Sequence, residues 1–491
     1  MNIPVAVLIV FSLLQIIQST GSGWWRPTSV QTTGPTSTIP VAVPATAAEP
    51  CDTLTTQPDA IVLSPDLPWT EPLTDPADPH RIFLLRGGLY RTSDKLWLKA
   101  GAPTAPLLIK PYNCEPVILH SSIRPASHTV LAGLTIEATG IEDIKWAIRL
   151  DGKNEEPIRN VTLRHNIIRG GTIDALRISG DVQTVELAGN DIDGGESGHD
   201  IFITAEGTAV LPAGITITRN LLTKAHFTSA AEDMIQIRDT GALTITENIC
   251  TAGHNMEQCI DIKNTTAPLL IARNLFDGDN LHRAGTGADQ AGGCMVIHED
   301  DGHGEQHRIE YNEFRHCKGT IIRFATGSRA ETSSAQVRYN LFLQAEEQAS
   351  VMPVEIATDL HLLNNTFVGG TLKLGNSAQT RFPRGLRLQN NIFYQTAIED
   401  HTPVTAPYDC THNLLYQVDG AGFITAPCTQ TTTADPQFID SAHGNFYLLP
   451  SSPALNGGAN GSTIGALPAI FPPTGLTHHL FLPLLRQETR R

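Results

Sequence analysis

The sequence predicts an all-β fold, a right-handed parallel β-helix of about 10–12 coils, on three observations. First, near-identical segments recur, each closing on an asparagine-containing phrase. They are RNVTLRHNIIRG around Asn166, VELAGNDIDG at Asn190, ITITRNLLTK at Asn220, LTITENICTA at Asn248 and LLIARNLFDG at Asn274. HRIEYNEFRH at Asn312, QVRYNLFLQ at Asn340, LHLLNNTFVG at Asn365, LRLQNNIFYQ at Asn391 and THNLLYQ at Asn413 continue the series. Second, the step is roughly 22–30 residues, once nearer 38, which is a solenoid period. Third, apolar and polar residues alternate at period two before each asparagine, so each unit is a strand. One such strand cannot bury its apolar face alone; stacked neighbours above and below do so.

The asparagine column reads as architecture rather than as a sugar-binding row. Corners of a β-helix need residues that tolerate the left-handed backbone region, which asparagine does. Its amide can also bond the asparagine of the next coil.

The chain has 491 residues, 41% apolar and 17% charged, enough for a large core. A formal net charge of -16 excludes general nucleic-acid binding, which needs a basic footprint. Only 6% of residues are aromatic, which suits a slim core of Ile, Leu and Val.

Along the chain, residues 1–22 hold an apolar run of about 15, short for a membrane span. They read as a signal peptide or, with Trp24, Trp25 and Arg26 behind them, as an uncleaved anchor. Either places the rest of the chain outside the cytoplasm, secreted or at the cell surface. Residues 23–50, rich in Thr, Pro, Ser, Ala and Val, read as a linker. The β-helix domain is expected over 51–466, opening in His80–Ser122 and coiling regularly to about Gln417, with no helical pattern inside. Residues 467–491 read as a separate tail, hydrophobic and then basic. Eight cysteines suit an oxidising compartment. Local pairing would join Cys250 to Cys259, Cys294 to Cys317, Cys410 to Cys428 and Cys51 to Cys114, with Cys259 to Cys294 as an alternative; reduced, buried thiols also remain open.

Chemistry concentrates on the second strand of each coil: AIRLD, ALRIS, IFIT, MIQIRD, CIDIKN and CMVIHE. Aligned by their inward residues, these strands make two outward columns. One holds Arg149, Arg177, Phe202, Gln236, Asp261 and Val296; the other holds Asp151, Ser179, Thr204, Arg238, Lys263 and His298. Neighbours in a column lie about 4.8 Å apart. Arg238, Lys263 and His298 therefore stack on consecutive coils, with Asp261 beside Lys263. Three stacked cations repel unless acids offset them, so one reading is a solvated ion-pair lattice. The other is β-elimination on a uronate polymer. That reaction needs a base for the proton beside the carboxylate, a cation to neutralise the carboxylate, and an acid for the leaving oxygen. Lys263 is the candidate base if Arg238 lowers its pKa. His298 and Arg238 are the remaining catalytic candidates, and Arg177, Gln236 and Asp261 are candidate substrate contacts. Glu232, Asp233, Glu257 and Asp261 offer the hard oxygen ligands that Ca²⁺ takes.

The tail of the domain adds a resemblance. ADPQFIDSAHGNFYLLPSSPALNGG with IGALP, over Asp435–Ala466, resembles the closing segment of many secreted bacterial β-helix proteins. It implies the pectin-lyase-like, right-handed parallel β-helix superfamily. GHNMEQCIDIKNTTAPLLIARNLFDG resembles alginate and chondroitin-B-type lyases more loosely, through Glu257 and Lys263. The arginine those enzymes carry on the next coil is replaced here by His298. The same stretch, through Cys259, Asp261 and Lys263, is similar to secreted β-helix proteins with no established chemistry. Asp300-Asp301 before Gly302-His303-Gly304 resembles pieces of polygalacturonase sites, but there the two pieces sit on separate strands. The expected partner is an extracellular polysaccharide met by a monomer, without nucleic acid, and with membrane contact only through the N-terminal segment. The leading activity is a uronate-polymer lyase. The alternatives are a non-catalytic carbohydrate-binding scaffold and, less favoured, a glycoside hydrolase using paired carboxylates.

Overall fold

The computed structural model of the protein describes residues 59–153, 156–194, 198–223, 232–251, 257–278, 293–298, 306–317, 320–325, 334–343, 350–354, 359–375, 385–402, 408–419 and 428–466. The N-terminal run, the linker, Cys51, the Glu299–Glu305 run and the C-terminal tail lie outside these residues.

Each coil supplies one short strand to each of three parallel sheets, which hold 14, 12 and 13 strands among the described residues. The first sheet runs from Ala60–Leu63 to Asp409–Thr411, the second from Leu96–Trp97 to Ala397–Asp400, and the third from Gly88–Arg91 to Leu414–Tyr416. The predicted parallel solenoid is thus present. It begins ahead of His80, because Ala60–Leu63 pairs in parallel with Ile82–Leu85. A five-residue helix, Thr70–Thr74, too short to show a helical period in the sequence, buries Leu73 at this end.

The predicted register of the second sheet holds along its length. Ile148, Leu176, Ile201, Ile235, Ile260 and Met295 align coil upon coil, and all are buried in the core. That places the outward columns as predicted.

The asparagine ladder is continuous from Asn166 to Asn413. In each step one asparagine's backbone N–H and side-chain Nδ2 both donate to the Oδ1 of the next, as Asn248 does to Asn274 at 2.9 and 3.0 Å. The same Nδ2 also donates to a carbonyl of the preceding coil, Ile217 in this case, at 2.9 Å. Buried backbone groups at the corner are thereby satisfied, which is an obligation wherever water is excluded. One expectation is corrected: the ladder asparagines do not carry the left-handed backbone. The residue just before each one does, including His165, Arg219, Glu247, Arg273, Tyr311, Tyr339 and His412, with φ from 53° to 59°. The amide bonds hold these side chains in a conformation they disfavour on their own.

A second ladder was not read from the sequence. Phe276, Phe314, Phe342, Phe367 and Phe393, each two residues after a ladder asparagine, stack face to face inside the third sheet at 4.7–5.1 Å between ring centres. Aromatic residues are few, yet five of them form this column.

Three predicted disulfides form: Cys250–Cys259, Cys294–Cys317 and Cys410–Cys428. No described cysteine is free, and Cys294 pairs with Cys317 rather than with Cys259. Cys294–Cys317 closes a loop spanning 23 residues of sequence. Replacing both with serine is expected to cost about 2–4 kcal/mol, read from urea titration. An unchanged midpoint would show that the link adds nothing to the coil stack.

The closing segment turns antiparallel, Phe438–Asp440 against Asn445–Leu448. It packs Leu448, Ala454 and Ile464 on Ile392 and Leu414, in a small core of its own.

Candidate functional site

The second sheet's register places Arg238 between Thr204 and Lys263, and Lys263 between Arg238 and His298. Arg238 reaches solvent, with 59% of its side chain exposed, and its Nε lies 3.7 Å from Asp239. His298 occupies its predicted register position, and its side chain lies outside the described residues. In the neighbouring column Gln236, Asp261 and Val296 hold the register positions between the inward residues, yet all three are buried. This part of the outer face is recessed, with carboxylates in its floor.

Lys263 departs from the expected role of a low-pKa amine. Its Nζ lies 2.6 Å from Asp261 Oδ2, with one-third of the side chain exposed. Burial pulls its pKa down, but the hydrogen bond and charge of Asp261, helped by Asp233 and Glu257, outweigh that and raise it above the ordinary lysine value. The charges that shift it are those carboxylates and not the Arg238 guanidinium.

The four acids read as Ca²⁺ ligands divide. Asp261 is engaged by Lys263. Asp233 is fully buried and accepts a 3.1 Å bond from Gln236 Nε2 on Oδ2, while its Oδ1 has no hydrogen-bond partner. Burial, then the like charges of Asp261 and Glu257, push the Asp233 carboxyl well up. Glu232 stands half exposed at the rim. What joins Glu232 and Asp233 is His199: one donor atom from each of the three lies within 4.8 Å of the others.

His199 and its support were missed because columns were counted only from within the strands. Two residues before the first inward residue of each coil stand Trp146, Asp174, His199, Asp233 and Gln258, a third column at the corner. Asp174 is buried and fully hydrogen-bonded. Its Oδ1 takes His199 Nδ1 at 2.8 Å and the His199 backbone N–H at 3.0 Å. Its Oδ2 takes Trp146 Nε1 at 3.0 Å and Arg177 at 3.1 Å. Burial opposes its charge, but the His199 contacts and then Arg177 hold its carboxyl below the usual range.

Arg177, read as a substrate contact, lies within this support. Besides Asp174 it binds Glu206 at 2.6 Å, and its guanidinium lies 4.4 Å from the centre of the Phe202 ring. Arg149 sits over Trp146 at 4.3 Å and pairs with Asp151 at 2.8 Å. This arginine–aromatic shelf adjoins the acid floor.

No protein-family model matches the chain, and no curated protein does either. Solved structures do. A mannuronic acid specific polysaccharide family 6 lyase from human gut microbiota is 14% identical with a TM-score of 0.51, over 77% of this chain and 91% of that one. The chain therefore shares the parallel β-helix fold of that structure. The alginate lyase AlyGC of the PL6 family is 12% identical, with a TM-score of 0.50 over 84% of this chain. The chain spans 59% of the length of AlyGC. PfbA, a surface adhesin of Streptococcus pneumoniae, is 12% identical with a TM-score of 0.44, over 72% of this chain and 85% of that one. Identities this low speak for the fold and not for chemistry.

Proposed function

We propose that this β-helix acts outside the cytoplasm on a uronate-containing polysaccharide, cleaving it by β-elimination on the second sheet. The observation that carries this is the Lys263 amine, partly exposed between Arg238 and His298 above a floor of buried carboxylates. Among the structural neighbours the same fold is found in enzymes named as alginate and mannuronic acid lyases.

In this mechanism the polymer lies across the coils and Arg238, the most exposed cation of the column, receives a uronate carboxylate. Lys263 takes the proton beside that carboxylate after handing its own ammonium proton to Asp261, 2.6 Å away. His298 protonates the leaving oxygen. Arg177 and Arg149 act at a distance, shaping the adjoining shelf through Glu206. The unpartnered Asp233 Oδ1 suits a cation at this floor. Ca²⁺ held by Glu232, Asp233, Glu257 and Asp261 would neutralise the substrate carboxylate as negative charge builds beside it.

The test is a screen of purified protein on pectate, alginate and chondroitin or dermatan sulphate, with and without Ca²⁺. The expected product is an unsaturated uronate, seen by its ultraviolet absorbance on one of these polymers. No absorbance on any of them, with retained binding, would favour the second reading, a non-catalytic carbohydrate-binding scaffold. The Lys263–Asp261 contact is the observation in favour of that alternative, because it keeps the lysine protonated at neutral pH.

A further inference from the structure

Among the described residues, His199 presents an imidazole nitrogen without a hydrogen-bond partner. The side chain is 9% exposed, and its Nε2 is buried. Its Nδ1 is committed to Asp174 at 2.8 Å. Asp174 accepts four hydrogen bonds, two on each oxygen, so it is ionised and acts only as an acceptor. The Nδ1 must then carry the proton, which leaves the lone pair of the neutral ring on Nε2. That lone pair faces Glu232 Oε2 at 3.7 Å, too far for a hydrogen bond between them. The neighbouring Asp233 Oδ1 is likewise buried and unpartnered. One possible ligand atom from each of His199, Glu232 and Asp233 thus lies within 4.8 Å of the others.

We infer that His199, Glu232 and Asp233 bind a divalent first-row transition ion such as Zn²⁺, with Asp174 as the carboxylate that fixes the histidine. Such ions accept imidazole together with carboxylate, whereas Ca²⁺ takes oxygen ligands alone. Histidine ligands donate their second nitrogen to a carboxylate in this manner, which fixes tautomer and ring orientation. Phe202, tilted against the imidazole at 4.8 Å between ring centres, holds the ring from its other side. Three protein ligands leave coordination positions open to water or to an anionic group of a ligand. The site stands whether the sheet cleaves a polymer or only binds one, because its readout is metal binding and not activity.

The experiment uses the full chain, stripped with a chelator and titrated with Zn²⁺ against a chromophoric competitor, then with Co²⁺ read by its visible absorption. One tight Zn²⁺ site is expected, with Co²⁺ bands of low-coordinate intensity and no displacement by a hundredfold excess of Ca²⁺. His199→Gln should weaken the site by at least about a hundredfold, and Asp174→Asn by about 10–100-fold. Glu232→Gln alters a side chain that is 46% exposed, so its loss of affinity is readable without a folding defect. The chain has 18 histidines, so stoichiometry alone does not locate the ion. Wild-type Zn²⁺ affinity in both the Glu232 and the His199 variants would place the ion elsewhere and overturn the assignment. Ca²⁺ binding that ignores His199→Gln would also overturn it, while leaving an oxygen-only Ca²⁺ site available to the lyase reading. Absence of tight binding, with the His199 ring doubly protonated by nitrogen NMR, would show that a proton fills the place of the ion.

Discussion

Asn312→Asp is expected to cost the fold about 4 kcal/mol at neutral pH, and Asn312→Ala about 3 kcal/mol, values built from buried polar groups left unpaired. Asn312 lies mid-ladder and is buried. Its Oδ1 accepts from the Asn274 backbone N–H at 2.9 Å and from Asn274 Nδ2 at 3.0 Å. Its Nδ2 donates to Ile271 O at 2.9 Å and to Asn340 Oδ1 at 3.0 Å. Alanine removes the acceptor and strands the Asn274 donors. Aspartate keeps the acceptor but points a second oxygen at two acceptors, and it buries a charge. The aspartate variant has a signature that alanine lacks. A protonated carboxyl regains one donor, so the folded state binds its proton more tightly than the unfolded state does. The variant's stability relative to wild type is then best in acid and is lost as pH rises through the folded-state pKa. Urea titrations at several pH values read both effects. Midpoints equal to wild type at neutral pH would mean that the ladder is ornament and the apolar stack alone holds the coils.

The coil register was legible because two signals agreed. Period-two alternation fixed which residues face inward, and the recurring asparagine fixed where each coil ends, so Arg238, Lys263 and His298 fell into one column. Burial on the outer face was not legible. Asp261 and Gln236 alternate as solvent-facing residues should, yet both are buried. The left-handed corner was assigned one residue too late. Sequence propensity favours asparagine there, but the asparagine amide is more useful bonding between coils, which leaves residues such as Arg273 and Tyr311 to take the strained backbone. His199 escaped because a lone histidine before a strand carries no pattern. Only the corner column shared with Asp174 and Asp233 reveals it, and counting two residues back from each first inward residue would have found that column.

Lys263→Arg is expected to abolish elimination while leaving the fold close to wild type, which makes it the sharper test of the proposed base. Arginine keeps a cation beside Asp261 but stays protonated at any working pH, so it cannot accept the substrate's proton. Turnover should fall by about 10²-fold or more, the usual scale for a lost general base. Lys263→Ala is the less clean substitution at this position. The Lys263 amine is 2.6 Å from a buried carboxylate, so truncation leaves Asp261 charged without that partner, and alanine should destabilise measurably where arginine does not. Arg177→Ala, by contrast, acts through Asp174 and Glu206. It should weaken polymer binding with a smaller effect on turnover. Product absorbance at saturating and limiting polymer separates the two cases, and thermal melts guard against unfolding. If Lys263→Arg forms unsaturated product at the wild-type rate, the amine is not the base and the Lys263–Asp261 contact is structural.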